Sequence, residues 1–195
     1  MMHTADMLRA FAPWREDAIV VPGRGGRYWT DLTTRPNLDA PLGDPAMGGH
    51  AGFALGLALA RPKKRVILFD SEGDILMSLG MLVTIAEQQP PNFYHFLIDN
   101  GCYATTGGQP VPNADNTNYD VIARGAGYPR AFAFRELEKF STALPDILGN
   151  PGPVFVALKV APEIENAPIG RRRRWQTRTR DEVIKDLRKE LDIRG

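Results

Sequence analysis

The chain has 195 residues, of which 43% are hydrophobic and 24% charged, and its formal net charge is +1. This length and hydrophobic content predict one domain with a full core. The near-neutral charge gives no overall signal for nucleic acid binding, and no apolar run approaches the ~18 residues that a membrane span needs. The single cysteine excludes an intrachain disulfide and cannot by itself hold an iron–sulfur cluster. Because the N-terminus lacks a signal-peptide pattern, we expect a cytoplasmic protein without nucleic acid or membrane partners.

The predicted elements alternate between short apolar strands and helices. Apolar runs of strand length are found at 17–22, 65–69, 93–98, 131–134 and 154–160. Apolar residues recur at helical spacing at 54–60, 75–86, 136–148 and 181–191. Such alternation predicts an α/β fold with a single doubly wound, mostly parallel sheet and helices on both faces. We expect this domain to cover residues 1–160 and a basic tail with a short helix to cover residues 161–195.

Glu72 and Asn100 follow two consecutive predicted strands and are 28 positions apart. In a right-handed strand–helix–strand unit both turns lie at the carboxyl edge of the sheet, where open α/β folds bind their ligands. Magnesium prefers oxygen ligands, and the Glu72 carboxylate, the Asn100 amide and the Cys102 carbonyl would supply them. Taken singly, an ordinary strand-end acid and an Asx-turn asparagine explain the first two residues. Together they favour a metal site on a diphosphate.

Two glycine-containing turns are candidates for phosphate contacts. The backbone N–H groups of Gly73 and Asp74 open a predicted helix, whose N-terminus offers unpaired donors and a favourable dipole. Gly25 and Gly26 lie in the turn after the first predicted strand, a common place for phosphate-binding loops. This second turn is not a full dinucleotide fingerprint, so its spacing alone is a weak signal.

These motifs resemble the diphosphate-binding domain of thiamine diphosphate enzymes, and among them the sulfopyruvate and phosphonopyruvate decarboxylases. The family signature is Gly-Asp-Gly, a stretch of this length, and Asn-Asn. The resemblance covers about residues 17–160 and includes Met47-Gly48, the helix through Leu59 and segments 66–69, 72–73, 76–80, 100–103 and 106–109. Two positions depart from the signature, because this chain has Ser71-Glu72-Gly73 and Asp99-Asn100. The extra methylene of Glu72 either shifts the metal or requires the loop to relax.

The resemblance implies a thiamine diphosphate-binding fold with thiamine diphosphate and Mg²⁺ as cofactors. It adds Gly48, Asn100 and Tyr103 to the cofactor-binding candidates, and it makes Gly25 and Gly26 plausible contacts. In the family a bulky apolar residue at the place of Met47 holds the two cofactor rings in a V shape. Without the resemblance, an apolar residue before a helix is ordinary core packing.

Met47 and His50 are the two catalytic candidates. A histidine near a decarboxylase pocket can transfer a proton or bind a carboxylate. The long stretch between Tyr103 and Tyr119 is predicted to close over cofactor and substrate, as the corresponding segment does in the family. A solvated surface loop is the alternative for this stretch.

The resemblance also implies that this chain holds half of an active site. In the family the glutamate that activates the cofactor belongs to a pyrimidine-binding domain, for which we expect no room here. We therefore predict the β-type subunit of a 2-oxo acid decarboxylase, completed by a pyrimidine-binding α-type subunit in an α2β2 or larger assembly. Two alternatives stay open. One is another thiamine diphosphate enzyme, either an acetolactate synthase-type carboligase or a 2-oxo acid oxidoreductase β chain. The other is a degenerate scaffold or regulatory subunit.

Charge is concentrated in the tail, where residues 162–195 carry ten Lys and Arg against seven Asp and Glu. The densest basic cluster is 171–174, followed by Trp175, Arg178 and Arg180. A solvated or disordered run is the ordinary interpretation of such a block. Docking on an acidic partner chain and attraction of anionic substrates are the functional alternatives.

Overall fold

A computed structural model of the chain describes residues 1–42, 46–171 and 173–193. The α-helices in these ranges are α1 (Thr4–Phe11), α2 (His50–Ala60), α3 (Glu72–Met77), α4 (Met81–Gln88), α5 (Tyr119–Ala126), α6 (Leu137–Gly149) and α7 (Arg180–Glu190). The strands are β1 (Ile19–Pro22), β2 (Val66–Ser71), β3 (Phe93–Asp99), β4 (Cys102–Tyr103), β5 (Gln109–Pro110), β6 (Arg130–Phe134) and β7 (Val154–Lys159). Short 3₁₀ helices lie at Ala12–Trp14, Arg24–Asp31, Pro36–Leu38 and Ile169–Arg171.

Five strands form one parallel sheet in the spatial order β1-β2-β3-β7-β6. Their side chains alternate between two buried clusters, so that Val66 and Leu68 of β2 face one and Ile67 and Phe69 face the other. Helices α2, α4, α5 and α7 pack into the first cluster, and α1 and α6 pack into the second. The predicted fold class, a mostly parallel sheet covered by helices on both faces, is therefore confirmed.

The helix predicted over 75–86 is wrong as a single element. It is two helices, because Ser78 takes a non-helical conformation (φ −139°, ψ 40°) and α4 begins only at Met81. The Ser78 Oγ donates a hydrogen bond to the Gly48 carbonyl oxygen at 2.8 Å. The break therefore ties the end of α3 to the turn that carries Met47.

The stretch between Tyr103 and Tyr119 contains more regular structure than a long loop. The short strands β4 and β5 pair as an antiparallel hairpin, and α5 already begins at Tyr119, whose side chain is buried. Helix α1 was not predicted from the sequence either. It packs on the sheet through Met7, Leu8 and Phe11.

The basic tail returns to the domain. Helix α7 begins with a capping box, in which Thr179 and Glu182 each satisfy the other's backbone N–H. Its Val183 and Leu187 are buried in the first cluster. The domain division at residue 160 stays a prediction, and Arg172 lies outside the described residues. Among the helices that the structure describes, none combines the length and the apolar character that a membrane crossing demands.

Candidate cofactor and metal site

The turns after β2 and β3 meet at the carboxyl edge of the sheet, and Glu72 joins them. Its Oε1 accepts hydrogen bonds from the backbone N–H of Asn100 at 3.3 Å and of Cys102 at 3.1 Å. The Asn100 Oδ1 also accepts from the Cys102 N–H at 2.9 Å, which closes the turn. The structure therefore brings together all three residues that the sequence predicts as metal ligands.

Glu72 is almost fully buried, with 1% of its surface exposed, and its Oε2 has no hydrogen-bond partner among the described residues. Burial and the nearby charge of Asp99 raise the pKa of Glu72 from 4.5 to about 7, against the opposing effect of the backbone N–H donors. Asp99 itself is held by Lys159, whose Nζ lies 3.0 Å from Oδ1. A cation next to Oε2 would satisfy this oxygen and favour the charged carboxylate.

The donor set fits a magnesium ion on a diphosphate, because it offers oxygen ligands beside a helix N-terminus. Gly73, the first residue after Glu72, lies against the Tyr103 ring, and a Cβ there would come within 3.1 Å of it. A side chain at this position would therefore crowd the floor of the site. The roles of Glu72, Asn100, Cys102, Gly73 and Tyr103 toward a metal or cofactor stay predictions.

Asp74 faces the segment that precedes α2. Its carboxylate accepts from the Gly48 N–H at 3.1 Å and lies 3.1 Å from His50 Nδ1. Burial would raise the pKa of Asp74, but the His50 hydrogen bond and charge, the Gly48 N–H and Arg24 together hold it below its ordinary value. The backbone N–H of Asp74, predicted as a phosphate donor, donates to the Ser71 Oγ at 3.3 Å. Asp74 thus orients the residues around Met47.

Met47 lies at the mouth of the site with 64% of its surface exposed. Its backbone is left-handed (φ +46°), and so is that of Gly48 (φ +85°), where an added Cβ would come within 3.0 Å of Met77. Asp74 and Ser78 hold this turn from both sides. The apolar side chain is therefore presented at the cavity by a fixed backbone and is not packed in the core.

His50 is 3% exposed and lines a neighbouring cavity, with Nδ1 directed at Asp74. One ligand atom each from His50, Asp70 and Asp74 lie within 4.8 Å of one another. These groups are already paired, because Asp74 bonds His50 and Asp70 bonds the buried His95 at 3.2 Å. The Glu72 carboxylate, with one unsatisfied oxygen, is the better candidate for a cation.

The loop after β1 crosses the edge of the sheet at very close range. A Cβ at Gly25 would lie 2.4 Å from the Asp70 carbonyl oxygen, and one at Gly26 would lie 2.7 Å from the Phe69 Cβ. Arg24 in this loop donates to Thr105 Oγ1 at 3.0 Å and so links the loop to the β4–β5 segment. Together with Met47, Glu72 and Asn100, these segments surround a cavity of about 200 Å³.

We expect Gly25→Ala to destabilise the chain by about 1–3 kcal/mol, because the new methyl group meets a backbone oxygen that cannot rotate away. Gly56→Ala is the matched control. Nothing lies within 4 Å of a Cβ at this exposed position of α2, so it should raise stability by about 0.5–1 kcal/mol. Urea unfolding of both variants measures the difference, and equal stabilities would contradict the close approach.

The raised pKa of Glu72 predicts a pH dependence of stability in metal-free protein. Above pH 4.5 the unfolded chain ionises this carboxyl while the folded chain resists ionisation up to about pH 7. Stability from this group is therefore lost as pH rises through that window, by roughly 3 kcal/mol. Glu72→Gln removes the effect, so its stability relative to the parent should rise across the window in urea unfolding with a chelator present. If the difference in stability between Glu72→Gln and the parent stayed constant with pH, the raised pKa of the buried Glu72 carboxyl would be contradicted.

Several polar contacts near the site were not predicted. The Tyr28 hydroxyl bonds the Glu163 carboxylate, and Arg27 also reaches Glu163 at 3.5 Å. In the tail, Arg173 lies 4.0 Å from the centroid of the Trp175 ring and 2.5 Å from Asp31. The basic cluster signalled the tail as unusual, but no local pattern indicates where a tail folds back.

Comparisons with known proteins show the family. Residues 27–158 match the family described as thiamine pyrophosphate enzyme, C-terminal TPP binding domain. The sulfopyruvate decarboxylase subunit beta of Methanothermobacter thermautotrophicus is 39% identical over 171 residues, covering 87% of this chain and 88% of the relative. The phosphonopyruvate decarboxylase of Streptomyces viridochromogenes is 34% identical over 160 residues, covering 81% of this chain and 39% of the relative.

A structural comparison gives the same fold. The thiamine diphosphate-dependent 4-hydroxybenzoylformate decarboxylase of Rhodococcus jostii superposes with a TM-score of 0.64 at 20% identity, covering 85% of this chain and 33% of that one. The chain therefore belongs to the thiamine pyrophosphate enzymes, as a C-terminal TPP-binding domain. It spans about two fifths of the length of the phosphonopyruvate decarboxylase that it matches.

Proposed function

We propose that this chain is the β-type subunit of a thiamine diphosphate-dependent 2-oxo acid decarboxylase that resembles sulfopyruvate and phosphonopyruvate decarboxylases. It binds the cofactor diphosphate through Mg²⁺, and a pyrimidine-binding α-type chain completes the active site. The observation that carries the proposal is the junction of Glu72 with the Asn100 turn. Similarity to a separate β subunit over 88% of its length supports the subunit role.

The metal site would use Glu72 Oε2, the Asn100 side chain and the Cys102 carbonyl. When bound, the metal neutralises diphosphate charge, and the thiazolium of the cofactor supplies the electron sink for decarboxylation. The two backbone N–H donors to Oε1 fix the carboxylate, so its second oxygen points to one place before any ligand arrives. Burial keeps water from competing for this oxygen.

Two further residues would act next to the cofactor rings. Met47 supplies an apolar, polarizable support at the cavity mouth, held by the Asp74 and Ser78 contacts of its turn. The carboxylate of Asp74 fixes the His50 ring through Nδ1, which leaves Nε2 as the nitrogen for proton transfer or for binding the substrate carboxylate.

Exposed apolar side chains next to the site support a partner chain. Met47, Met77, Leu79 and Val83 are 36–64% exposed, and Met47 and Met77 line the cavity itself. Apolar surface around a cofactor pocket is typical of a face that another chain covers. A covering chain would also exclude water from the reacting carbon.

Co-expression with a pyrimidine-binding chain tests the proposal. The purified complex, supplied with thiamine diphosphate and Mg²⁺, should release CO₂ from sulfopyruvate or phosphonopyruvate, and each chain alone should not. Acetolactate formation from pyruvate would instead favour a carboligase, and turnover that requires an electron acceptor would favour an oxidoreductase. A complex that binds no cofactor would favour the scaffold role and contradict the proposal.

A further inference from the structure

A second cavity of about 580 Å³ lies beside the cofactor site. The two cavities share four lining residues: Arg24, Arg27, Thr105 and Thr106. His50 lines only the second cavity, and the residues 173–176 of the tail form its other wall. The tail therefore forms part of a cavity that shares lining residues with the cavity predicted to hold the diphosphate.

The second cavity is strongly basic. Arg24, Arg27, Arg173 and Arg174 line it together with His50, whereas Glu165 is the only acidic residue among its described lining residues. Two residues that line it also carry an N–H donor, Arg27 Nε and Trp175 Nε1, that is buried without an acceptor among the described residues. Arg27 and Arg173 also pair with Glu163 and Asp31, which do not line the cavity. The lining itself carries four guanidinium groups against one carboxylate, a charge imbalance that favours an anion.

The position of the tail is fixed by specific contacts. Trp175 packs edge-on against Tyr28 with ring centroids 4.8 Å apart, and the Arg173 guanidinium lies over the Trp175 ring, 4.0 Å from its centroid. Arg173 also pairs with Asp31, and Arg178 donates to the Asp39 carbonyl oxygen at 3.0 Å. These contacts anchor the segment on both sides of Arg174, so the stretch that carries the two exposed arginines is held beside the cavity.

We propose that this arginine-lined cavity binds the distal anionic group, a phosphonate or sulfonate, of the 2-oxo acid substrate, and that Arg173 and Arg174 set the preference for such substrates. The inference deepens the proposed function and rests on it. In these substrates the distal group is one carbon from the reacting carbonyl, so its site must adjoin the cofactor. Arg24 and Arg27 line both cavities, and His50, which the proposed function places next to the cofactor rings, lines this one.

The test uses the complex with its partner chain, loaded with thiamine diphosphate and Mg²⁺, and the double variant Arg173→Gln with Arg174→Gln. For sulfopyruvate or phosphonopyruvate, kcat/KM should fall about 10- to 100-fold, mainly through KM, because charge-assisted hydrogen bonds are lost. For pyruvate, which has no distal charge, kcat/KM should change less than about twofold. Arg188→Gln, at an exposed position of α7 that does not line the cavity, is the matched control and should change neither value.

Isothermal titration with methylphosphonate and methanesulfonate gives a readout independent of turnover. The loaded parent complex and the Arg188→Gln control should bind a probe that the double variant does not bind. Equal losses for pyruvate and the charged substrates, or a probe isotherm unchanged in the double variant, would overturn the inference. A matching loss of thiamine diphosphate affinity would also overturn it, since the cavity would then serve the cofactor.

Failure of the inference and failure of the proposed function give different results. If the complex is active and the double variant binds the probe as the parent does, only the inference is overturned. A complex that binds no cofactor overturns the proposed function and, with it, the assignment of the cavity to a substrate, even if the arginines still bind the probe.

Discussion

Glu72→Gln is expected to lower Mg²⁺-dependent affinity for thiamine diphosphate by at least about 100-fold, more than the loss usually seen for residues that only support a metal ligand. Glutamine can still accept the hydrogen bonds of the Asn100 and Cys102 N–H groups, so the two turns should stay joined. It lacks the negative charge that a divalent cation requires. Isothermal titration of the complex with thiamine diphosphate, with Mg²⁺ and with chelator, measures the effect.

Two companion variants make this experiment specific. Glu72→Asp restores the residue type of the family signature and should keep metal-dependent binding, because the loop needs to move by only one methylene. Cys102→Ala should also keep it, since the predicted ligand is the backbone carbonyl and not the thiol. Unchanged affinity in Glu72→Gln would refute the ligand assignment.

Met47→Ala is expected to lower kcat of the complex by about 100-fold while leaving the fold intact. The side chain is 64% exposed, so its truncation should alter the free energy of unfolding by less than about 0.5 kcal/mol. Without the apolar support, the cofactor rings lose their fixed geometry, and a misplacement of about 1 Å can cost that much in rate.

Met47→Leu is the control, because it keeps an apolar side chain of similar volume and should retain most of the activity. Steady-state kinetics and urea unfolding of both variants separate a catalytic effect from a structural one. If Met47→Ala kept full kcat, the proposed support of the cofactor rings by Met47 would be contradicted. If it unfolded the chain, Met47 would be a packing residue, against its exposure.

Most of the sheet was predictable because β1, β2, β3 and β7 are almost wholly buried and read as nearly continuous apolar runs, whereas the edge strand β6 is only partly buried. The predicted run 93–98 differs from β3 by one residue, and that at 154–160 differs from β7 by one. The meeting of Glu72 and Asn100 followed from parallel topology alone, since consecutive parallel strands end at one edge. Local pattern and fold agree at these positions.

The predictions that failed concern features that depend on contacts between residues far apart in the sequence. The break between α3 and α4 depends on the bond from Ser78 to Gly48, 30 residues earlier, which helical periodicity does not reveal. The tail was expected to be solvated, yet Trp175 and Arg178 contact Tyr28 and Asp39 across more than a hundred residues. The arginine-lined cavity exists only because of those contacts, so composition could signal charge but not its location.

The decisive experiment for the metal site is anomalous diffraction from the complex with thiamine diphosphate and Mn²⁺ in place of Mg²⁺. We expect one metal peak within coordination distance of the Glu72 carboxylate, the Asn100 side chain and the Cys102 carbonyl, with the diphosphate as a further ligand. A peak among His50, Asp70 and Asp74, or a bound cofactor whose metal does not touch Glu72, would contradict it.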